Sequence, residues 1–230
     1  MNNLREIAGD QSLLVTGFDA TRDNLNNMDL TQYAILHFAT HGVLDPRNPA
    51  NSGLFLSMVN RDAKKQDGFV GLQDIYALKA RVDLVVLSAC RTGLGKEVKG
   101  EGLIGVTRGF MNAGASSAVA SLWSVDDQAT AELMKHFYAN MLREQMTPAA
   151  ALRAAQNTIR NDPRWSSPYY WAAFTFQGDY DRKISVLPGH TSIYKDLLKL
   201  IPLALLLLTS FLGWSVWRYR SRSKKIATRP

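Results

Sequence analysis

The stretch that decides the fold is residues 84–93, which read LVVLSACRTG. Its first half is an apolar, β-branched run, typical of a strand buried on both faces of a sheet. The run stops at small residues, and Cys90, the only cysteine of the chain, lies at that stop. Residues 34–42, AILHFATHG, show the same pattern and end in His41 and Gly42. Because neighbouring strands of an open parallel sheet deliver their last residues to one crevice, we expect Cys90 and His41 to meet there.

Strand patterns and helix patterns alternate along the rest of the chain. Short apolar runs predict further strands at residues 13–17, 53–58, 118–123 and 170–176. Amphipathic or capped segments predict helices at residues 72–78, 103–113, 128–143 and 149–161. The alternation predicts an α/β domain over residues 1–181, with a mostly parallel central sheet flanked by helices.

The C-terminal part of the sequence predicts a membrane anchor. After a linker at residues 182–196, residues 197–217 carry a single charge, Lys199, and are long enough to cross a hydrocarbon core of about 30 Å. Trp214 and Trp217 fit the aromatic belt at a membrane interface. We therefore predict one transmembrane helix, from Leu197 to Trp217, in contact with the lipid bilayer; the alternative is a buried core helix.

The basic tail, residues 218–230, explains most of the net charge of +7, because it contains six arginines and lysines and no acid. A basic charge confined to a tail argues against a nucleic-acid-binding domain. The sequence leaves two possibilities for the side of the membrane on which the domain lies. The tail favours the cytoplasm, which would place the domain outside, whereas the lack of a signal sequence favours a tail-anchored protein with a cytoplasmic domain.

Cys90 and His41 are the candidate catalytic residues. A thiol needs a nearby base to become a nucleophile near neutral pH, and imidazole is the usual one. The main-chain amides of Gly42 and Cys90 are candidates to stabilise an oxyanion. The alternative is that Cys90 is a buried structural cysteine and His41 a loop histidine. One cysteine excludes an internal disulfide and a multi-cysteine zinc site, and nothing in the sequence predicts a metal or a cofactor.

Several motifs in order resemble those of the CHAT-domain family, which comprises bacterial relatives of caspases and separases. They are ILHFATHG at residues 35–42, LSACRTG at 87–93, GEGL at 100–103, SLWSVDD at 121–127 and PYYWAAF at 168–174. The resemblance covers residues 12–180. It implies a caspase-like three-layer sandwich and a cysteine endopeptidase acting on a protein substrate, with His41 as the base and Cys90 as the nucleophile.

The resemblance also bears on the acids Asp126 and Asp127. In separases the matching stretch supplies an acid to the pocket for the substrate's P1 side chain, and the alignment places that acid at Asp127. A carboxylate there would favour cleavage after arginine or lysine. The alternative is that the two acids cap the helix that follows, and each aspartate can hold one role.

Further implications of the resemblance concern partners. Family members usually carry more sequence before the first strand, often helical repeats that receive a signal, so part of the sheet is expected to come from an upstream segment or a partner. If that part is essential, the chain is instead a membrane-tethered interaction module with little activity.

Residues 100–105 match G-x-G-x-x-G, but they do not directly follow a strand, which argues against a nucleotide site.

Overall fold

A computed structural model describes residues 6–9, 12–43, 45, 48, 51–88, 90–91 and 101–184, which fall within one unit, Met1–Ser185. The helices are α1 Arg22–Asn27, α2 Leu72–Ala77, α3 Glu101–Asn112, α4 Asp127–Leu142, α5 Pro148–Arg160 and α6 Pro168–Trp171. The strands are β1 Ile35–Phe38, β2 His41–Val43, β3 Gly53–Phe55, β4 Phe69–Gly71, β5 Leu84–Leu87, β6 Cys90–Arg91, β7 Ser117–Ser121 and β8 Phe174–Gly178.

The strands form two four-stranded sheets. The main sheet has the order β1-β5-β7-β8, in which the first three strands run parallel and β8 closes one edge antiparallel. The smaller sheet has the order β4-β3-β2-β6. The predicted α/β fold with a mostly parallel sheet flanked by helices is therefore confirmed for the described residues.

Alternate residues of the central strand β5 enter two separate hydrophobic cores. Leu84 and Val86 pack with α4 and α5, whereas Val85 and Leu87 pack with α2 and α3. All four side chains are at most 2% exposed. Because successive side chains of a strand point to opposite faces, a continuous apolar run is needed when helices cover both faces. This arrangement explains why residues 84–87 contain no polar residue.

Two helix starts follow the capping signals of the sequence. The Asp126 carboxylate accepts hydrogen bonds from the main-chain N–H groups of Gln128 and Ala129, both at 3.0 Å, and so caps α4. Helix α5 begins with Thr147 as N-cap and Pro148 at its first turn. Both helices thus begin within one residue of the predicted position.

One strand prediction was wrong, and a second was wrong in part. Residues 13–17 form no strand, and Leu13 is 57% exposed, so this apolar run has no sheet partner among the described residues. The aromatic run at 170–176 is divided between α6 and β8. Pro168 stands in the first turn of α6 and presets the helical backbone, which outweighs the β-propensity of the aromatic residues that follow.

The membrane prediction falls outside the described residues. No helix within the described parts of residues 6–184 is long and apolar enough to cross a bilayer. The predicted span at 197–217 and the basic tail at 218–230 lie beyond those residues.

Candidate active site

His41 and Cys90 are direct partners in the smaller sheet. Strands β2 and β6 pair in parallel, with His41 opposite Cys90 and Gly42 opposite Arg91. Neighbouring strands lie about 4.8 Å apart. The structure therefore brings together the two positions that the sequence places at the ends of two buried strands.

The register of this pair continues that of the main sheet. In the β1–β5 pair, Ile35 lies opposite Leu84 and Phe38 opposite Leu87. In both sheets the partner stands 49 positions further along the chain. The two segments therefore pass from one sheet to the other without an extra residue on either side. The pairing of His41 with Cys90 follows from the register of β1 and β5.

Strand β3 holds the other side of β2. His41 lies opposite Phe55 in an antiparallel pair. The hydroxyl of Thr40, just before β2, donates a hydrogen bond to the carbonyl of Phe55. The His41 side chain itself is exposed, and Gly42 is buried. The backbone of His41 is thus held from both sides while its imidazole is accessible to solvent.

A cavity of about 970 Å³ runs beside β1 and reaches His41. Its lining includes Leu14, Phe18, Leu36, Phe38 and Thr40, and it is predominantly apolar. Among the described residues β1 is an edge strand of the main sheet, and the cavity lies along it. Its volume is within the range of protein ligand sites.

A chain of hydrogen bonds joins β1, the residue after β5 and α4. His37 in β1 contacts the Ser88 hydroxyl through Nε2 at 2.7 Å and the Tyr138 hydroxyl through Nδ1 at 3.0 Å. The rings of His37 and Tyr138 also stack, with centroids 5.7 Å apart. Burial lowers the pKa of His37 to about 4 and raises the pKa of Tyr138, so both side chains are neutral at pH 7.

Asp126 and Asp127 stand at the start of α4. Asp126 is engaged as the N-cap, and Asp127 is the first residue of the helix. The helix-capping interpretation is therefore correct for Asp126. The P1 role of Asp127 stays a prediction.

The family model for the CHAT domain matches residues 1–179. The chain belongs to the CHAT domain family. The CHAT domain is peptidase-like. This assignment agrees with the resemblance that the motifs around His41 and Cys90 indicate.

The CHAT domain of this chain is also similar to part of two curated proteins. Tetratricopeptide repeat protein 28 of Mus musculus is 29% identical over 202 residues, and that of Homo sapiens is 30% identical over 202 residues. Each alignment covers 75% of this chain and 8% of the relative. The chain thus spans only a small part of the length of these relatives.

The hydrogen-bond partners of His37 were not predicted from the sequence. His37 lies in the apolar run at residues 34–42, and the structure adds its contacts with the hydroxyls of Ser88 and Tyr138. A polar residue in an apolar strand of a CHAT domain signals a need for hydrogen-bond partners. Tyr138 is 101 residues away along the chain, so no local pattern identifies it.

Proposed function

We propose that the chain is a cysteine endopeptidase of the caspase-like clan, with Cys90 as the nucleophile and His41 as the base. The observation that carries this proposal is the register pairing of His41 with Cys90. Positions opposite each other on neighbouring strands lie on the same face of the sheet, as a nucleophile and its base must. The helices on both faces of the main sheet support a three-layer sandwich.

The reaction needs few groups beyond this pair. The imidazole of His41 takes the proton of the Cys90 thiol, and the thiolate attacks the carbonyl carbon of the scissile peptide bond. The main-chain amides of Gly42 and Cys90 are the proposed donors to the oxyanion. His41 then protonates the leaving amine, and water hydrolyses the thioester to release the acid and restore the thiol.

The proposed substrate is a protein cleaved after a basic residue. Asp127, with Asp126 beside it, supplies negative charge at the start of α4, and a carboxylate attracts an arginine or lysine side chain. The cavity that runs beside β1 to His41 offers room for an extended peptide. An open strand edge binds such a peptide through main-chain hydrogen bonds.

We further propose that the domain is tethered to the bilayer by residues 197–217 and works with a repeat-containing segment or partner. The apolar length and tryptophan placement of that stretch support the anchor. The relatives named tetratricopeptide repeat protein 28 support the repeat partner, because they are described by their repeats.

The proposal is tested with the full chain and fluorogenic peptides that carry arginine, lysine or aspartate at P1. We expect cleavage after arginine or lysine, which Cys90→Ala and His41→Ala both abolish while circular dichroism shows an unchanged fold. An irreversible thiol probe with arginine at P1 should label Cys90 in the native chain. Retained cleavage in either variant contradicts the proposed pair.

The same probe separates the enzyme from an interaction module. Cys90 is the only cysteine, so labelling reports on one thiol without ambiguity. Labelling of the native chain no faster than of the urea-denatured chain would favour a tethered module without peptidase activity. Adding a tetratricopeptide repeat segment to the assay then tests whether activity depends on such a partner.

A further inference from the structure

The hydrogen-bond chain formed by Tyr138, His37 and Ser88 connects the three segments that carry the candidate site. His37 stands four residues before His41, and Ser88 stands two residues before Cys90. Tyr138 lies on α4, the helix that begins at Asp127. The three side chains that form this hydrogen-bond chain take no part in the proposed reaction.

Ser88 is fixed to β1 at two points. Its main-chain N–H donates to the carbonyl of Phe38 at 3.1 Å, and its hydroxyl contacts His37 Nε2 at 2.7 Å. These bonds cross-link the ends of β1 and β5 at the last positions before the segments leave the main sheet. A slip of either segment there would change which residue stands opposite Cys90, because register sets every later pair.

Tyr138 fixes His37 from the other side. Its hydroxyl contacts Nδ1 at 3.0 Å, and its ring stacks on the imidazole. Tyr138 is 7% exposed, so its polar end requires a partner inside the protein. In a neutral histidine one ring nitrogen donates a hydrogen bond and the other accepts one, so a hydroxyl group can pair with each nitrogen of His37. The histidine ring is therefore held in one orientation between the helix and the strand end.

We propose that the Tyr138–His37–Ser88 chain positions the catalytic pair, by holding the ends of β1 and β5 in the register that places His41 opposite Cys90. The inference rests on the proposed function, because it assigns His41 as the activator of the Cys90 thiol. The three residues are positioning residues and do not touch the substrate.

The test is the alkylation rate of Cys90 by iodoacetamide as a function of pH, measured on the full chain. A thiol activated by a base reacts at pH 6.5, whereas an unassisted thiol reacts mainly above its ordinary pKa of about 8.5. We expect Ser88→Ala and Tyr138→Phe to lower the rate at pH 6.5 about tenfold. The limiting rate at high pH, where every thiol is ionised, should stay unchanged.

Ser88→Thr is the matched control, because it restores the hydroxyl and should restore the pH profile. A purely structural role predicts a different result: Ser88→Ala lowers the urea midpoint but leaves the profile unchanged. That result overturns the inference. Ser88→Ala and Ser88→Thr suffice for the test if Tyr138→Phe does not fold, since they alter a small, half-buried side chain.

His41→Ala separates this inference from the proposed function. If His41→Ala shifts the profile and the Ser88 and Tyr138 variants do not, the positioning role is refuted and the catalytic pair stands. If His41→Ala leaves the profile unchanged, the pair itself is refuted, and the positioning role with it. A common shift in all three variants, reversed by Ser88→Thr, supports both.

Discussion

One methyl group added at Gly53 in β3 should disturb the proposed site. A Cβ atom placed there lies 2.3 Å from the carbonyl oxygen of Val70 and 2.8 Å from Cζ of Phe69. Ordinary contacts need about 3.4 Å or more, so Gly53→Ala must push β3 and β4 apart by about 1 Å. The strand that moves is the one that holds His41 through Phe55.

The expected loss of stability is about 3 kcal/mol, the upper part of the range for overpacking a close-packed site. The obstacle is partly backbone, so no side-chain rotation relieves it. With a urea m-value of about 2 kcal/mol/M, the midpoint should fall by about 1.5 M. Urea unfolding followed by far-UV circular dichroism measures this shift.

Gly105 in α3 provides the matched control. A Cβ there meets only the methyl groups of Leu72, at 3.7 and 3.9 Å, which are ordinary contacts. Gly105→Ala should therefore stabilise the protein by up to about 1 kcal/mol through helix propensity. A change in the midpoint of less than about 0.3 M for Gly53→Ala, corresponding to roughly 0.6 kcal/mol, would refute the steric reasoning. Equal losses in the two variants would refute it as well.

Four further predictions concern protonation, helix capping, substrate charge and strand register. The folded-state pKa of His37, about 4, lies below its unfolded value near 6.5, so the unfolded state binds the proton first as the pH falls. Unfolding free energy should drop by about 2 kcal/mol between pH 7 and pH 5, and His37→Gln should remove that drop. Asp126→Ala should cost about 1 kcal/mol in urea unfolding by removing the α4 cap, whereas Asp127→Asn should reduce cleavage after arginine with a smaller loss of stability. One alanine inserted between Ala39 and Thr40 should move His41 out of register and give the thiol profile of His41→Ala; an unchanged profile would contradict the pairing.

The parts of the fold that could be predicted are those written in local sequence. Neighbouring residues were enough to predict the buried strand β5 and the N-caps of α4 and α5. They also predicted the ends of two strands, where small residues follow. The exposed apolar run at residues 13–17 could not be read correctly, because whether a strand forms depends on a partner edge. The split of residues 170–176 turned on Pro168, whose effect on the first helical turn is local but competes with aromatic β-propensity.

The smaller sheet was not predicted, although it carries the candidate pair. Strands β2, β4 and β6 have two or three residues each, too few for any periodicity to be seen. What the sequence contains is the separation of 49 residues between His41 and Cys90. That number acquires a structural meaning only with the register of β1 and β5, where Ile35 faces Leu84 at the same separation. The site therefore forms only if the number of residues from Ile35 to His41 equals the number from Leu84 to Cys90, and both steps are six residues.

The pairing of His41 with Cys90 therefore depends on the register of β1 and β5 in the core. Parallel strands can pair at several registers, and a buried apolar run such as β5 favours none of them strongly, because every residue of it is apolar. A specific polar contact between the strands favours one of these registers over the others. Buried polar residues have this effect where apolar packing alone does not select a register. The bond between His37 and Ser88 is such a contact, since a one-residue slip would break it, at a cost of about 0.5–1.5 kcal/mol. His37, the polar residue that interrupts the apolar pattern of β1, thus selects the register of β1 and β5. That register decides which residue stands opposite Cys90.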